Sequence, residues 1–214
     1  VSYNLIVNRD AGPFNDARAR RALALALDRK AFVDITSEGR DIIGGAMLPP
    51  PPGVWGVGAE ALKDQPGYGP DPEAAREQAR GLMREAGYGP DKRLKMKVTT
   101  RNIASYRDLA VILVDQLKAI YIDAEVEPID SAVYFNRLYQ KNYVVAVNAT
   151  GSSLDDPDQH FVENYGCKSP RNFNGYCNAE LTGLMARQSE ERDIEKRRAV
   201  VHEIERLLAA DIVR

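Results

Sequence analysis

This chain is short of the residues that most often carry chemistry or redox control. It has two cysteines, two histidines and one tryptophan in 214 residues. Two cysteines permit one disulfide or two thiols, and their number alone does not choose a compartment. The histidines, His160 and His202, lie far apart. The run Asp155-Asp156-x-Asp158 with His160 has neither zinc spacing nor the central glycine and late glutamate of a calcium loop. The expectation is therefore no metal and no cofactor. There is no Gly-x-Ser-x-Gly elbow and no phosphate-cradling Walker loop. No apolar run approaches membrane-spanning length. Charge of neither sign dominates: 29 basic residues against 31 acidic ones leave a net charge of -2. That balance gives no reason to expect nucleic acid or an anionic membrane surface as a partner. Internal repeats and low-complexity tracts are missing too. The chain starts at Val1 without Met or signal peptide and stops at Arg214 inside a helical pattern, so both ends read as cut.

What is present begins with Pro13-Phe14-Asn15-Asp16. Pro13 with Asn15 or Asp16 can stop a strand and cap a helix. Ala19, Ala22, Leu23, Ala26 and Leu27 then share one apolar face. Arg18, Arg20 and Arg21, with Arg29 and Lys30, lack interleaved aromatics and read as a solvated helix face. Residues 3–8 read as a strand and residues 28–35 as a second helix. Residues 39–69 are rich in Gly and Pro and include Pro49-Pro50-Pro51-Pro52-Gly53 and Trp55. They read as a long irregular segment on the surface, its polyproline run a stiff connector or a ligand for an aromatic groove.

Asp71-Pro72 opens the next helix as N-cap and first helical residue, and Gly87 closes it. Leu94, Met96 and Val98 alternate with Lys95, Lys97 and Thr99, which predicts a strand. Ser105 with Asp108 resembles a capping box before the apolar face Leu109, Ile112, Leu113, Leu117 and Ile120. A strand marked by Ile122, Ala124 and Val126, a short helix over 132–140 and an apolar strand over 143–148 follow. This β-α-β-α-β order favours parallel pairing with right-handed crossovers. Helical segments over 158–164, 179–188 and from 193 onward complete an α/β reading.

The wording of residues 12–29 adds more than the physics. Pro13-Phe14-x-Asp16-x-Arg18-x-Arg20-x-Ala22-Leu23, running to Ala26-Leu27-Asp28-Arg29, resembles the signature of family 5 extracytoplasmic solute-binding proteins. These are the dipeptide-, oligopeptide- and nickel-binding receptors of ABC importers. Tyr68-x-x-Asp71-Pro72-x-x-Ala75-Arg76, Leu82-Met83-x-Glu85-Ala86-Gly87-Tyr88, Asp156-Pro157-Asp158 with Phe161, and Tyr176-Cys177-Asn178-x-Glu180-Leu181 are similar to later pieces of that family, in order. The resemblance implies a periplasmic-binding-protein-like lobe of type II, cluster C-like, with a mostly parallel sheet flanked by helices. Residues 1–214 would be one ligand-binding lobe, lobe II, without the first lobe and the C-terminal return segment. It implies an extracytoplasmic or periplasmic receptor rather than an enzyme. The partners would be a small-molecule or peptide solute, ABC permease subunits and the first lobe of the same receptor, with no nucleic acid. Similar receptors often carry a disulfide at the position of Cys167 and Cys177, which favours that bond over two thiols.

In open α/β sheets, ligands sit outside the carboxyl ends of the strands, near a switch in strand order. Loops over 101–105, 130–134 and 150–158 qualify. They offer Arg101, Asn102, Tyr134, Ser152, Ser153, Asp155 and Asp156. A guanidinium can grip a carboxylate through two parallel hydrogen bonds. Tyr134 could supply a flat apolar wall with a polar edge. The plainer reading of these residues is solvated loops and helix caps, with Asp156 and Asp158 capping the helix near Phe161. Ser152, Ser153, Asp155 and His160 also have the residue types of a small hydrolase, the alternative reading, but without a positioned base. Peptide receptors of the resembled family show a Trp and then an Asp after the strand matching 143–148, the Asp holding the peptide's ammonium. Here Asn148-Ala149-Thr150-Gly151-Ser152-Ser153-Leu154 supplies neither. That departure implies a ligand other than an ordinary free peptide, such as a small carboxylate or polar metabolite, unless Asp155 substitutes.

Overall fold

The computed structural model describes residues 2–44, 47–48, 53–151 and 154–212. Strand β1 (Ser2–Val7) leads into a turn that Asp16 converts to helix α1 (Ala17–Ala26). The Asp16 carboxylate accepts from the Arg18 amide, satisfying a donor that the first helical turn leaves open. Arg20 is not solvated as expected. It is buried, and its Nη1 donates to the carbonyls of Phe14 at 2.8 Å and Asn15 at 3.1 Å. The guanidinium fastens the turn that the sequence only punctuates.

Helices α2 (Arg29–Ser37) and α3 (Ala59–Leu62) precede α4 (Pro72–Glu85). Asp71 caps α4 through the Glu73 and Ala74 amides, and Gly87 takes a left-handed φ of 91° just past its end. Strand β2 (Leu94–Arg101) is followed by α5 (Ala104–Lys118). The capping box does not form there. The Ile103 carbonyl already accepts from the Tyr106 and Arg107 amides, which places Ser105 inside the first turn. Strand β3 (Ile122–Ile129), helix α6 (Ser131–Tyr139), strand β4 (Val145–Thr150) and helices α7 (Pro157–Tyr165), α8 (Ala179–Glu190) and α9 (Ile194–Ala210) complete the chain.

The four strands form one sheet in the order β1-β4-β2-β3. The three strands expected to be parallel are so: β2 pairs with β3 from Leu94↔Ile122 to Arg101↔Ile129, and with β4 at Val98↔Val145 and Thr99↔Ala146. β1 runs antiparallel on the far side of β4, Ser2 opposite Thr150 and Val7 opposite Val145. The period of two in each strand divides the burial. Val7, Leu94, Met96, Val98, Val145 and Val147 face α1, α4 and α5 in the larger core. Ile6 and Ala146 face Tyr134 and Leu138 of α6 in a smaller one.

A further core joins α7, α8 and α9 around Phe161, Leu181, Ile204 and Leu208. Leu48 and Trp55 are part of it. The segment 39–69, read from its composition as wrapped on the surface, is anchored at its described residues instead: Leu48, Trp55 and Val57 are buried. A fully buried side chain of this size contributes about 1.5–3 kcal/mol, enough to hold an otherwise irregular segment in place. Pro49–Pro52 lie outside the described residues. Among the described residues no helix is long and apolar enough to cross a membrane.

Candidate functional site

The chain leaves β2 through α5 to reach its neighbour β3, then crosses back by α6 to β4 on the other side of β2. The two crossover helices cover opposite faces, since α5 packs in the larger core and α6 in the smaller. Strand order therefore reverses between β2 and β4, and a crevice opens outside their carboxyl ends. Arg101 ends β2 and Thr150 ends β4, so both stand at that switch.

Arg101 is held there by what surrounds it. Its Nε donates to Ser131 Oγ at 3.0 Å and its Nη1 to the Tyr106 hydroxyl at 3.2 Å. The guanidinium carbon lies 5.0 Å from the Tyr106 ring centre and 5.6 Å from that of Phe135. Such stacking fixes a planar cation without neutralising it. Tyr3 of β1 meets Tyr106 edge-on at 5.4 Å and extends the aromatic wall. Among the described residues Arg101 makes no ion pair, whereas Glu127 on the neighbouring strand is paired by Arg137 at 2.7 Å and by Lys97 at 3.3 Å. Burial pushes the Glu127 carboxyl up, but hydrogen bonds from Lys97 and Thr99 and the Arg137 charge outweigh it and hold it below the usual carboxylate range. The sheet thus spends its local acid on other cations.

Phe135, on which Arg101 stacks, also borders a cleft of about 240 Å³ that Arg101 itself does not line. Phe135 and Tyr139 of α6, the end of β4, His160 and Glu163 of α7, and Arg171 and Phe173 line it. At its base Asn148 donates to Thr150 Oγ1 at 3.3 Å, and Asn4 of β1 donates to the same oxygen at 2.9 Å. Arg171 and Phe173 come from the loop closed by the Cys167–Cys177 disulfide, whose Cα atoms lie 4.7 Å apart. The disulfide favoured by the resemblance is present. Arg171 pairs with Glu163 at 2.8 Å, so these two charges cancel across the cleft.

The other expected site residues divide. Asn102 is exposed at the crevice, where its Oδ1 accepts from Arg107 at 3.2 Å. Tyr134 is a correction: it is fully buried, its hydroxyl donating to the Val147 carbonyl at 2.8 Å, and it presents no wall to a ligand. Tyr134 and Leu138 are four apart and both buried; Phe135 and Tyr139, one residue on, are the exposed pair. That helical spacing was the available signal for Phe135. Asp156 is also spent internally. Its carboxylate caps α7 through the Asp158 amide and takes both Arg197 nitrogens at 2.9 and 3.0 Å. Burial pushes its pKa up, but the Arg197 hydrogen bonds and charge and the Asp158 amide bring it below the usual range. Asp158 instead accepts from Gln188 and Ser189. Asp155 is exposed near the crevice, its carbonyl accepting from Trp55 Nε1 at 2.9 Å. Ser152 and Ser153 lie outside the described residues.

Comparison with known proteins agrees with this architecture. Residues 1–172 match the family model described as bacterial extracellular solute-binding proteins, family 5 Middle. The chain is 25% identical over 210 residues to a probable di/tripeptide-binding protein 5 of Pseudomonas aeruginosa, covering 94% of this chain and 37% of that protein. It is 24% identical to di/tripeptide-binding protein 2 of the same organism, covering 97% of this chain and 38% of that one. The chain thus spans less than two fifths of the length of these curated relatives. Among solved structures, OppA of Haemophilus influenzae in complex with RPPGFSPFR superposes with a TM-score of 0.86 at 24% identity, over 99% of this chain and 41% of that one. DppA of Helicobacter pylori in complex with the peptide STSA gives 0.81 at 20% identity, over 99% and 40%. Those likenesses fix the fold, and the family match covers most of the chain: it belongs to the bacterial extracellular solute-binding proteins of family 5.

Proposed function

We propose that this chain is the ligand-binding lobe II of a two-lobed, extracytoplasmic solute receptor that delivers a small solute to the permease of an ABC importer. The observation that carries the reading is Arg101, a stacked, oriented cation at the switch point with no ion-pair partner among the described residues. A solute carboxylate supplies the missing charge, and the exposed edges of Tyr3, Phe135 and Tyr139 supply apolar contact for its body. Asn102 borders the same crevice, and Asp155, with Ser152 and Ser153 in its loop, is positioned in sequence to meet an ammonium. The solute class is therefore a carboxylate-bearing one, a peptide-like molecule or a small polar carboxylate.

The lobe works by differential binding. A solute touching both lobes stabilises only the closed arrangement, so binding and closure are one equilibrium. No bond is made or broken, and the hydrolase alternative at Ser152–His160 draws no support from a family of solute-binding proteins. The receptor reading places the chain in the periplasm or its equivalent, consistent with the disulfide.

The test is a thermal-shift screen of the two-lobed receptor containing this lobe. Dipeptides, tripeptides and small carboxylates are compared with the same molecules carrying an amide in place of the carboxylate. Stabilisation that amidation abolishes is the expected result. Equal stabilisation by acid and amide overturns the role of Arg101, and no stabilisation by any of these compounds overturns the solute class.

A further inference from the structure

The α7–α9 unit holds a second unmatched charge, of opposite sign and deep inside the protein. Glu205 of α9 is fully buried. Its Oε1 accepts from the backbone amides of Met47 at 2.9 Å and Leu48 at 2.6 Å, and its Oε2 from that of Val57 at 3.2 Å. Both described parts of the strap, residues 47–48 and 53–57, are therefore fastened to one carboxyl group. Between these fastenings stands Trp55, whose indole donates to the Asp155 carbonyl at 2.9 Å. Arg197 covers the same ring at 4.8 Å while holding both oxygens of Asp156. Asp155 and Asp156 close the loop that leaves β4 at the rim of the candidate site.

We propose that Glu205 is a proton-operated latch: its charge state sets whether the Trp55 strap stays docked, and through Trp55 it positions the Asp155–Asp156 end of the β4–α7 loop. That this loop borders a solute site rests on the receptor reading above; the latch itself does not.

The groups facing Glu205 are few. The strap contributes no titratable side chain over 47–48 and 53–57. α8 contributes apolar Leu181 and Met185. α7 contributes Tyr165, whose hydroxyl bonds the Met47 sulfur. α9 contributes His202, hydrogen-bonded to the Trp55 backbone, Arg198, whose Nε donates to the Val54 carbonyl at 3.1 Å, and Arg206, near enough to repel a charged His202. Among the described residues none of these cations forms an ion pair with Glu205. Its charge meets backbone amides alone, which favour the ionised form, while burial opposes it. Burial wins, and the carboxyl is pushed up to about 7.

Once undocked, Glu205 is solvated and titrates near the ordinary value of 4.5. Raising the pH therefore favours release. The docked-to-undocked ratio falls by up to roughly 300-fold from well below pH 4.5 to well above pH 7.

Trp55 is the single tryptophan of the 214-residue chain, so its fluorescence reads the latch without any ligand. The expected result is emission that shifts to the red, with rising acrylamide quenching, at a midpoint between pH 4.5 and 7. Glu205→Gln, whose amide oxygen can still receive the Met47 and Leu48 amides, should hold the low-pH signal from pH 5 to 9. His202→Gln should titrate like the wild type, because burial lowers the His202 pKa. A flat wild-type profile, a titration that survives Glu205→Gln, or one abolished by His202→Gln overturns the latch. Should Glu205→Gln fail to fold, amide exchange of Met47, Leu48 and Val57 in the wild type decides instead. Acceleration between pH 6 and 8 beyond the chemical dependence of free amides supports the latch, and the chemical dependence alone overturns it. Both results leave the solute reading untouched, since no solute is present.

Discussion

Arg101 and Glu205 each make no ion pair among the described residues, and they sit in opposite surroundings. Arg101 lies at the open ends of the parallel strands, among half-exposed aromatics. Water screens its charge until something anionic arrives, so leaving it unmatched costs little. Glu205 lies in the apolar core of α7–α9, where an unmatched charge is costly and proton uptake relieves it. Exposure therefore decides what an unpaired charge becomes: at the rim a waiting contact, in the core a titration.

The largest expected effect breaks or keeps the first half of that contrast. Arg101→Ala in the two-lobed receptor should weaken binding of a carboxylate-bearing solute by about 2–4 kcal/mol. The melting temperature without solute should fall by only a few degrees, through the lost Ser131 and Tyr106 contacts. Unchanged affinity by calorimetry would remove Arg101 from the site.

The second half is tested by stability against pH. The folded pKa of Glu205, about 7, is raised above its unfolded value of 4.5. Its contribution is thus complete below about pH 4.5 and is lost as the pH climbs through about 7. Urea unfolding at pH 4.5 and pH 8 should show the wild type losing roughly 3 kcal/mol more than Glu205→Gln across this window. Parallel pH profiles for the two proteins would contradict the buried charge.

The Cys167–Cys177 disulfide separates the two regions, since its loop supplies Arg171 and Phe173 to the cleft and none of the amides held by Glu205. Replacing both cysteines with serine should cost roughly 2–3 kcal/mol by the chain-entropy argument. The Trp55 titration midpoint should stay where it was. Mass spectrometry of the unreduced wild type should find no alkylatable thiol, and two such thiols would refute the bond. The smallest effect belongs to Asp156, which joins both regions. Asp156→Ala should cost about 1–2 kcal/mol, through the lost cap and the Arg197 contact. Asp156→Asn, which still caps, should cost less in the same denaturation experiment.

Much of the fold was legible because periodicity is local. Alternation over Leu94–Arg101 and the caps Asp16 and Asp71 needed no knowledge of distant residues. Parallel pairing of β2, β3 and β4 followed from the intervening helices. The site was legible only in outline. Arg101 stands out because strand ends at a switch point are general ligand positions. Tyr134 has the chemistry of a ligand wall but not the position, since Leu138, four residues on, shares its buried face. Asp156 offered two readings, and the choice fell to Arg197, 41 residues away.

The sequence by itself determined the family, the helices and strands, and the absence of any dominant charge, all properties that short spacings and total counts encode. Only the tertiary structure decided which polar groups lie inside. Arg20, Tyr134 and Glu205 are buried because backbone carbonyls and amides are brought to them, from the preceding turn at Phe14 and Asn15, from Val147, and from the far-off strap of Met47, Leu48 and Val57. Such partners are set by how elements pack, and burying a polar group is tolerable only once the packing has supplied them.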